Sequence, residues 1–175
     1  MPASTTYTPL ATVSGFSGSP AQLVMSNIPQ TYTDLVIVGS FRTTTAAVTT
    51  SYSIILNNDF NSSYSNTNLI GTGSTATSSR NSNISYGATL EYAGAGANAT
   101  ASVFGSSLTH IMNYSNTTTF KTLLMRGAVD NNGSGGLALA SGLYRSTNAI
   151  VQIYIQVNGN YVNGSTFTVY GIAAA

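Results

Sequence analysis

Length, composition and charge exclude several classes of protein. The chain has 175 residues, of which only 5% are charged, and its five basic and four acidic side chains leave a net charge of +1. So few cations, scattered along the chain, cannot neutralise the several phosphates of a nucleic-acid site or bind an anionic membrane surface. The chain has no Cys, which excludes disulfide frameworks and thiolate chemistry. A domain of this length can still bury about two thirds of its unfolded surface in a core.

The first twenty residues predict an extended N-terminal arm. Residues 1–20 contain three prolines and two glycines, and their few apolar residues include Tyr7, Leu10 and Phe16. Such a segment is either a frayed terminus or an arm that docks on a neighbouring subunit. In the second case Tyr7, Leu10 and Phe16 are the candidate assembly contacts. The remaining residues, 21–175, are predicted to form one β-sandwich domain.

Short apolar runs with a period of two predict nine strands. In the clearest run, the odd-numbered residues from Val151 to Val157 share one face, and the Asn158-Gly159 turn that follows is typical of a tight hairpin. In the last run, Phe167 and Val169 share a face. The nine predicted strands are Ala21 to Ser26, Thr33 to Arg42, Ser51 to Asn57, Thr89 to Tyr92, Leu108 to Tyr114, Phe120 to Val129, Leu137 to Tyr144, Ile150 to Val157 and Thr166 to Ile172.

Turn-rich stretches separate these strands. Many short strands joined by Gly-rich and Asn-rich loops predict an all-β fold, an antiparallel β-sandwich of jelly-roll type with an extended N-terminal arm. The loops between residues 57 and 100 are long for a minimal sandwich, so we expect them to project for function or to be ordered by a neighbour. The predicted loops are Asn57 to Asn68, Gly71 to Asn83, Ala93 to Thr100 and Asp130 to Gly136.

Side chains that carry enzymatic chemistry are scarce. The single His, His110, is in phase with Leu108 and Met112, which predicts a hydrogen-bonded histidine in or beside the core rather than a catalytic or metal-binding group. Asp59 and Asp130 offer oxygens that suit calcium, but turn capping is favoured because the acids lack calcium-loop spacing. We therefore predict no catalytic, cofactor-binding or metal-binding residue, no cofactor and no enzymatic activity.

Tyrosine is the abundant residue with value for recognition. The chain has 11 Tyr, and their amphipathic rings suit either a glycan-binding or protein-binding surface or plain packing within strands, which is slightly favoured. The candidates are Tyr52, Tyr64, Tyr86, Tyr92, Tyr114, Tyr144, Tyr154 and Tyr161.

Three stretches resemble a known group of proteins. They are SNIPQTYTDLVIVGSFR from Ser26 to Arg42, NYSNTTTFKTLLMRG from Asn113 to Gly127, and LYRSTNAIVQIYI with NGSTFTVYGI between Leu143 and Ile172. In matching order, they resemble small virion structural proteins of tailed bacteriophages, including cyanophages. Some members of that group are capsid cement or decoration proteins, and others are domains of tail fibres or tail-tip adhesins. The chain differs from the group at Tyr144 and in the small-residue loop from Ala93 to Ala101.

The resemblance implies a component of a virion. Because the sequence begins at Met1 and shows no coiled-coil or shaft segment, we expect a homotrimeric cement protein on the capsid exterior that bridges subunits of the major capsid protein. Low charge suits a protein repeated many times on a shell, since like charges at symmetric sites repel. The alternative is a tail protein that recognises a host surface glycan through its Tyr-rich and Asn-rich loops, with Tyr86 and Tyr92 as test residues. We expect no nucleic-acid or membrane partner.

Overall fold

The chain folds into twelve strands that form two antiparallel sheets. The computed structural model describes residues 6–14, 16, 18 and 20–173, and no helix occurs among them. This architecture confirms the predicted all-β antiparallel sandwich. In chain order the strands are β1 (Tyr7–Ser14), β2 (Gln22–Ser26), β3 (Asp34–Phe41), β4 (Thr49–Leu56), β5 (Tyr64–Gly71), β6 (Ala76–Ile84), β7 (Ala88–Ala95), β8 (Gly105–Ile111), β9 (Lys121–Asp130), β10 (Gly135–Tyr144), β11 (Gln152–Val157) and β12 (Thr166–Ile172).

The two sheets differ in width. The larger sheet has eight strands in the order β1-β12-β3-β8-β9-β10-β5-β6, and the smaller sheet has four in the order β2-β11-β4-β7. The first four strands alternate between the two sheets, whereas β5-β6 and β8-β9-β10 continue within the larger sheet. The larger sheet therefore has twice as many strands as the smaller one. Strands β5 and β6 lie at one of its ends.

Alternation of apolar and polar residues explains which face of each strand is buried. In β9 every second residue from Lys121 to Val129 is buried, and every residue between them is exposed. In β11 the predicted inward face is confirmed for Ile153, Ile155 and Val157. Val151 is 49% exposed instead, because it precedes the strand and Ile150 is the buried residue there.

A cluster of aromatic rings fills one part of the space between the sheets. Phe41 lies at the end of β3 and packs edge-on against Tyr52 and Tyr161, with ring centroids 5.8 and 5.9 Å apart. Its centroid is 5.2 Å from that of Phe167 on β12, and Phe16 stacks on Tyr161 at 4.9 Å. All five rings are less than 10% exposed. We call these five residues the aromatic cluster.

Strand β7 approaches the larger sheet closely because small residues meet there. A Cβ on Gly105 would lie 2.5 Å from Cα of Gly94, and one on Gly127 would lie 2.9 Å from Cα of Ala93. Neither distance is available to a real side chain, so glycine is required at both positions. Small residues on β7, together with Gly105 on β8 and Gly127 on β9, therefore allow β7 to pack tightly across the middle of the larger sheet.

Three sequence-based expectations need correction. Two of the predicted loops, Asn57 to Asn68 and Gly71 to Asn83, contain most of the β5-β6 hairpin. The predicted loop from Ala93 begins inside β7, which continues to Ala95. The Asn158-Gly159 turn does not form a hairpin, because β11 and β12 belong to different sheets and the chain crosses between them there.

The predicted N-terminal arm contains a strand of the domain itself. Residues Tyr7–Ser14 form β1, which pairs with β12 at the edge of the larger sheet. Residues 1–5, 15, 17 and 19 of the predicted arm lie outside the described residues. The described part of residues 1–20 therefore packs on its own chain, and a contact with a neighbouring subunit stays a prediction.

Candidate functional site

Most of the charged side chains have partners within the fold. Arg42 donates four hydrogen bonds, of 2.8 to 3.1 Å, to the backbone carbonyls of Ala97, Ala99, Thr100 and Val103. These bonds hold the loop that follows β7, so this loop is ordered from within the chain. Hydrogen bonds to a charged donor are stronger than neutral ones.

Lys121 is the second cation used inside the fold. Its side chain is fully buried at the start of β9, and Nζ donates to the carbonyls of Asn116, Thr119 and Thr147 at 2.7, 2.8 and 3.2 Å. Three acceptors match the three donors of an ammonium group. Burial lowers the pKa of Lys121 below its ordinary value, and the carbonyls compensate for lost hydration. Lys121 therefore serves the structure.

His110 and the acids identified in the sequence also have structural partners. His110 lies on the outer face of β8, with Nε2 2.9 Å from Oδ2 of Asp34, so the predicted hydrogen bond is confirmed but the ring lies outside the core. Asp59 accepts hydrogen bonds from the backbone N–H and the amide of Asn61 at 2.9 and 2.7 Å. Asp130 accepts from the backbone N–H of Asn132 at 2.8 Å. The turn-capping interpretation of both acids is confirmed.

Three charged side chains have no hydrogen-bond or ion-pair partner among residues 6–14, 16, 18 and 20–173. They are Arg80 on β6, Glu91 on β7 and Arg126 on β9. Arg126 is exposed on the outer face of the larger sheet, and Glu91 lines a polar cleft beside β7.

The three candidate assembly contacts differ in exposure. Tyr7 is 53% exposed and meets Tyr170 edge-on at 6.0 Å. Leu10 is partly buried against the core, and Phe16 is a core residue at 7% exposure. Of the three, Tyr7 is the residue whose side chain can reach a neighbour. The structure does not bring them together as one surface.

The tyrosines divide into packing residues and surface residues. Five of the eight candidates are at most 2% exposed, which confirms the packing interpretation for Tyr52, Tyr64, Tyr114, Tyr144 and Tyr161. Burial raises the pKa of Tyr52 to about 12, although its hydrogen bond with Thr109 opposes the shift. Tyr86 is 53% exposed, and Tyr92 is half-buried.

The outer face of the larger sheet exposes mostly apolar side chains on five neighbouring strands. Register places Val38 beside Leu108, Leu108 beside Arg126, Arg126 beside Leu139, and Leu139 beside Leu69. Leu124 and Leu137 share this face on β9 and β10. These seven residues form what we call the apolar face. Its exposed fractions are 42% for Val38, 44% for Leu124, 45% for Leu139, 53% for Leu69 and 60% for Leu137.

The polar cleft lies where β7 faces the β5-β6 hairpin. Its volume is about 370 Å³, and its lining combines Thr, Ser and Asn side chains with Glu91 and two tyrosines. No described Lys, Arg or His lines it. Its lining residues include Asn68 on β5, Asn81 on β6, Tyr86 in the β6-β7 turn, and Thr89, Glu91 and Tyr92 on β7.

A β-bulge directs Glu91 and Tyr92 toward the cleft. Thr50 pairs with Gly94 and Tyr52 pairs with Leu90, so three residues of β7 lie opposite the single residue Ser51. Tyr92 has a φ of 50°, a left-handed conformation that costs a bulky L-residue about 1–2 kcal/mol. Bulges and strained residues occur often at functional sites.

Two buried amides behind this region lack partners. Asn66 and Asn68 lie on the inner face of β5 and are 3% and 1% exposed. Among the described residues, neither amide has a hydrogen-bond partner at its oxygen or its nitrogen. A buried polar group without a partner costs about 1–3 kcal/mol. Asn68 also lines the polar cleft, whereas Asn66 does not.

Sequence reasoning missed both surfaces as units. It named Tyr86 and Tyr92, but it placed Asn66, Asn68 and Asn81 in predicted loops. The signal that could have revealed β5 was the two-residue period of Tyr64, Asn66, Asn68 and Ile70. The period was obscured because two of these four residues are polar. Identifying the apolar face requires the register of five strands, which cannot be read from the sequence.

No candidate metal centre occurs among the described residues, which contain no cluster of three or more His, Asp or Glu side chains that could hold a metal ion. Nor do these residues include a helix that is long and apolar enough to cross a membrane. No family model, no curated protein and no solved structure matches the chain.

Proposed function

We propose that this protein is a virion structural protein of a tailed bacteriophage, a cement protein on the outer surface of the head. In this proposal homotrimers stabilise the shell by bridging subunits of the major capsid protein, and the chain has no catalytic role. The proposal starts from the resemblance of Ser26 to Arg42, Asn113 to Gly127 and Leu143 to Ile172 to such proteins. The apolar face is the observation that carries it furthest.

The apolar face supports binding to another protein. Monomeric soluble proteins rarely expose large apolar patches, and such patches often mark sites of protein-protein contact. Its aliphatic side chains make contacts that salt does not screen, and it has a single charge, Arg126, within a row of Leu and Val. We therefore propose that this face lies against the capsid shell. Binding to heads should persist as the salt concentration rises.

The strand order supports the jelly-roll part of the proposal. The order β1-β12-β3-β8 in the larger sheet faces β2-β11-β4-β7 in the smaller one, as in two wound Greek keys of four strands each. In this assignment the hairpin β5-β6 and the pair β9-β10 are additions that widen the larger sheet. Those additions supply Leu69, Leu124, Leu137 and Leu139 of the apolar face.

Head binding by a matched pair of variants tests the proposal. Leu139→Ser changes a 45% exposed residue of the apolar face, and Val24→Ser changes a 46% exposed residue on the smaller sheet. With heads that lack this protein, we expect Leu139→Ser to weaken binding about tenfold, and Val24→Ser to bind as the unchanged protein does. Equal binding by both variants would contradict the role of the apolar face.

Copy number distinguishes the head from the tail. A copy number comparable to that of the major capsid protein, measured by quantitative mass spectrometry of purified virions, supports the cement proposal. A few dozen copies or fewer would favour the second candidate, a receptor-binding tail protein. The polar cleft is the feature that favours that candidate, since it offers hydroxyl, amide and aromatic groups on one surface.

The variant Tyr7→Ala tests the predicted arm more selectively than deletion of residues 1–16 does. Removing residues 1–16 would take away β1 and Phe16, and so would damage the sheet and the aromatic cluster together. Tyr7→Ala instead removes an exposed ring. If residues near the N-terminus reach a neighbour, this variant should lower the fraction of trimer seen by native mass spectrometry while the fold is kept. An unchanged trimer fraction would contradict an assembly role for Tyr7.

A further inference from the structure

The polar cleft has the size and lining of a small-molecule site. Its volume of about 370 Å³ falls in the range of ligand pockets, roughly 300–1,000 Å³. It is bounded by β7 on one side and by the β5-β6 hairpin on the other. Because the larger sheet extends beyond the smaller one, Asn68 and Asn81 of the β5-β6 hairpin can form one part of this cleft, while residues of β4 and β7 in the smaller sheet form most of the rest.

The lining chemistry excludes most ligand classes. No described cation lines the cleft and Glu91 does, so phosphate, sulfate or nucleic acid would meet repulsion without compensation. Glu91 is the sole described acid in the lining, which is too few for a divalent cation site. The remaining polar side chains are hydroxyls and amides, which both donate and accept hydrogen bonds. Such a lining fits a neutral ligand with many hydroxyl groups.

Two tyrosines add flat apolar surfaces to these polar groups. Tyr86 exposes about half of its side chain at the β6-β7 turn. The Tyr92 ring lies over β10, where a Cβ on Gly136 would come within 2.7 Å of it. The bulge and the positive φ of Tyr92 keep the ring in this position. A tyrosine ring supplies an apolar face together with a hydroxyl, which matches the two kinds of surface on a sugar ring.

Asn68 is an independent indication that the cleft binds a ligand. Its side chain is 1% exposed, lines the cleft and has no hydrogen-bond partner among the described residues. The cost of this buried amide is recovered when a bound hydroxyl donates to Oδ1 and accepts from Nδ2. Asn66, two residues before it on the same face, is also a buried amide without a partner, but it does not line this cleft.

We infer that the polar cleft binds a neutral carbohydrate through Asn68, Asn81, Glu91 and the rings of Tyr86 and Tyr92. The inference does not depend on whether the protein lies on the head or on the tail. On the head, the site would attach virions weakly to glycan-coated surfaces. On the tail, it would be the receptor site of the second candidate function.

Titration with neutral sugars tests the inference on the full chain. Glucose, galactose, mannose, rhamnose and N-acetylglucosamine are added separately to isotope-labelled protein, and backbone amide shifts are followed by NMR. We expect at least one sugar to shift resonances in the residue ranges 66–68, 80–82 and 86–93, and a charged uronic acid to shift them less. Absence of shifts with every sugar, or shifts confined to other residues, would overturn the inference.

Matched variants distinguish specific binding in the cleft from nonspecific binding elsewhere on the protein. Tyr86→Ala and Phe120→Ala remove rings that are 53% and 51% exposed, and Phe120 does not line the cleft. Binding should fall about tenfold for Tyr86→Ala and be unchanged for Phe120→Ala. Asn68→Leu keeps the side-chain size and should also abolish binding. Retained binding by Asn68→Leu together with Tyr86→Ala would refute the site, whereas the head-binding assay remains a separate test of the cement proposal.

Discussion

Strands β3 and β5 of the larger sheet present very different inner faces. The inner residues of β3 include Leu35, Ile37 and Phe41, which are at most 2% exposed and belong to the main core. Those of β5 are Tyr64 and Ile70, with two amides, Asn66 and Asn68, between them. One region is packed for stability, and the other keeps unpaired polar groups beside an opening. The difference indicates that the well-packed core and the unpartnered amides occupy separate parts of one sheet.

The largest expected effect comes from the aromatic cluster. Phe41→Ala removes a fully buried ring that contacts Tyr52, Tyr161 and Phe167, so we expect the free energy of unfolding to fall by about 3–5 kcal/mol. Urea denaturation followed by circular dichroism measures this change. A loss below about 1 kcal/mol would mean that the cluster does not support the core as described.

Close packing of β7 predicts the next effect. In Gly105→Ala the new Cβ would lie 2.5 Å from Cα of Gly94, whereas in Gly71→Ala its nearest neighbour is a Leu137 side-chain atom at 3.9 Å. We expect Gly105→Ala to cost about 1–3 kcal/mol and Gly71→Ala to change stability little, as judged by thermal unfolding. Equal costs would show that the two ends of the sheet are packed alike.

High pH probes the buried phenols. The pKa of Tyr52 is about 12 in the folded protein because of burial, against about 10 in the unfolded chain. Between these values the folded state holds a proton that the unfolded state loses, so stability is fully present below pH 10 and falls by roughly 1 kcal/mol per pH unit above it. Burial also raises the pKa of Tyr64 and Tyr161, which adds to the slope.

The variant Tyr52→Phe isolates one contribution to this slope. It leaves the Thr109 hydroxyl without its 2.6 Å partner, so stability at neutral pH should fall, but the decline between pH 10 and 12 should become shallower. Urea denaturation at several pH values provides both numbers. A slope identical to that of the unchanged protein would contradict the assigned cause.

The smallest effect is expected at β5, and its sign is opposite. Asn68→Leu replaces an unpaired buried amide with an apolar group of similar size, so stability should stay the same or rise by about 1 kcal/mol. The matched change at the packed end, Leu35→Asn, buries a new amide and should destabilise the protein by more than 2 kcal/mol. Loss of stability in Asn68→Leu would mean that the amide serves the fold instead of the cleft.

The sequence predicts the parts of this fold that follow a simple period. β12 is predicted at its observed bounds, and β3, β9 and β11 within two residues, because their inner positions are apolar. β5 and β6 escape prediction because Asn fills two inner positions of β5 and because eight of the nine residues of β6 are exposed. Hydrophobic alternation cannot identify strands whose inner face is polar or uncovered.

The candidate surfaces depend on information that is not local. Tyr86 and Tyr92 could be named from their residue type, but the bulge that positions Tyr92 arises from the pairing of β4 with β7. The apolar face joins residues more than eighty positions apart through strand register. Small residues near Ala93 resemble a flexible loop in sequence, although the close approach of β7 to the larger sheet is what requires them.

The four hydrogen bonds of Arg42 have a consequence for variation in the loop after β7. They end on the main-chain oxygens of residues 97, 99, 100 and 103, and every amino acid carries that oxygen. The clamp therefore recognises the path of the loop and is indifferent to most of its side chains. A population of related chains could exchange those side chains, and with them the outer chemistry of the loop, while one guanidinium preserved its shape.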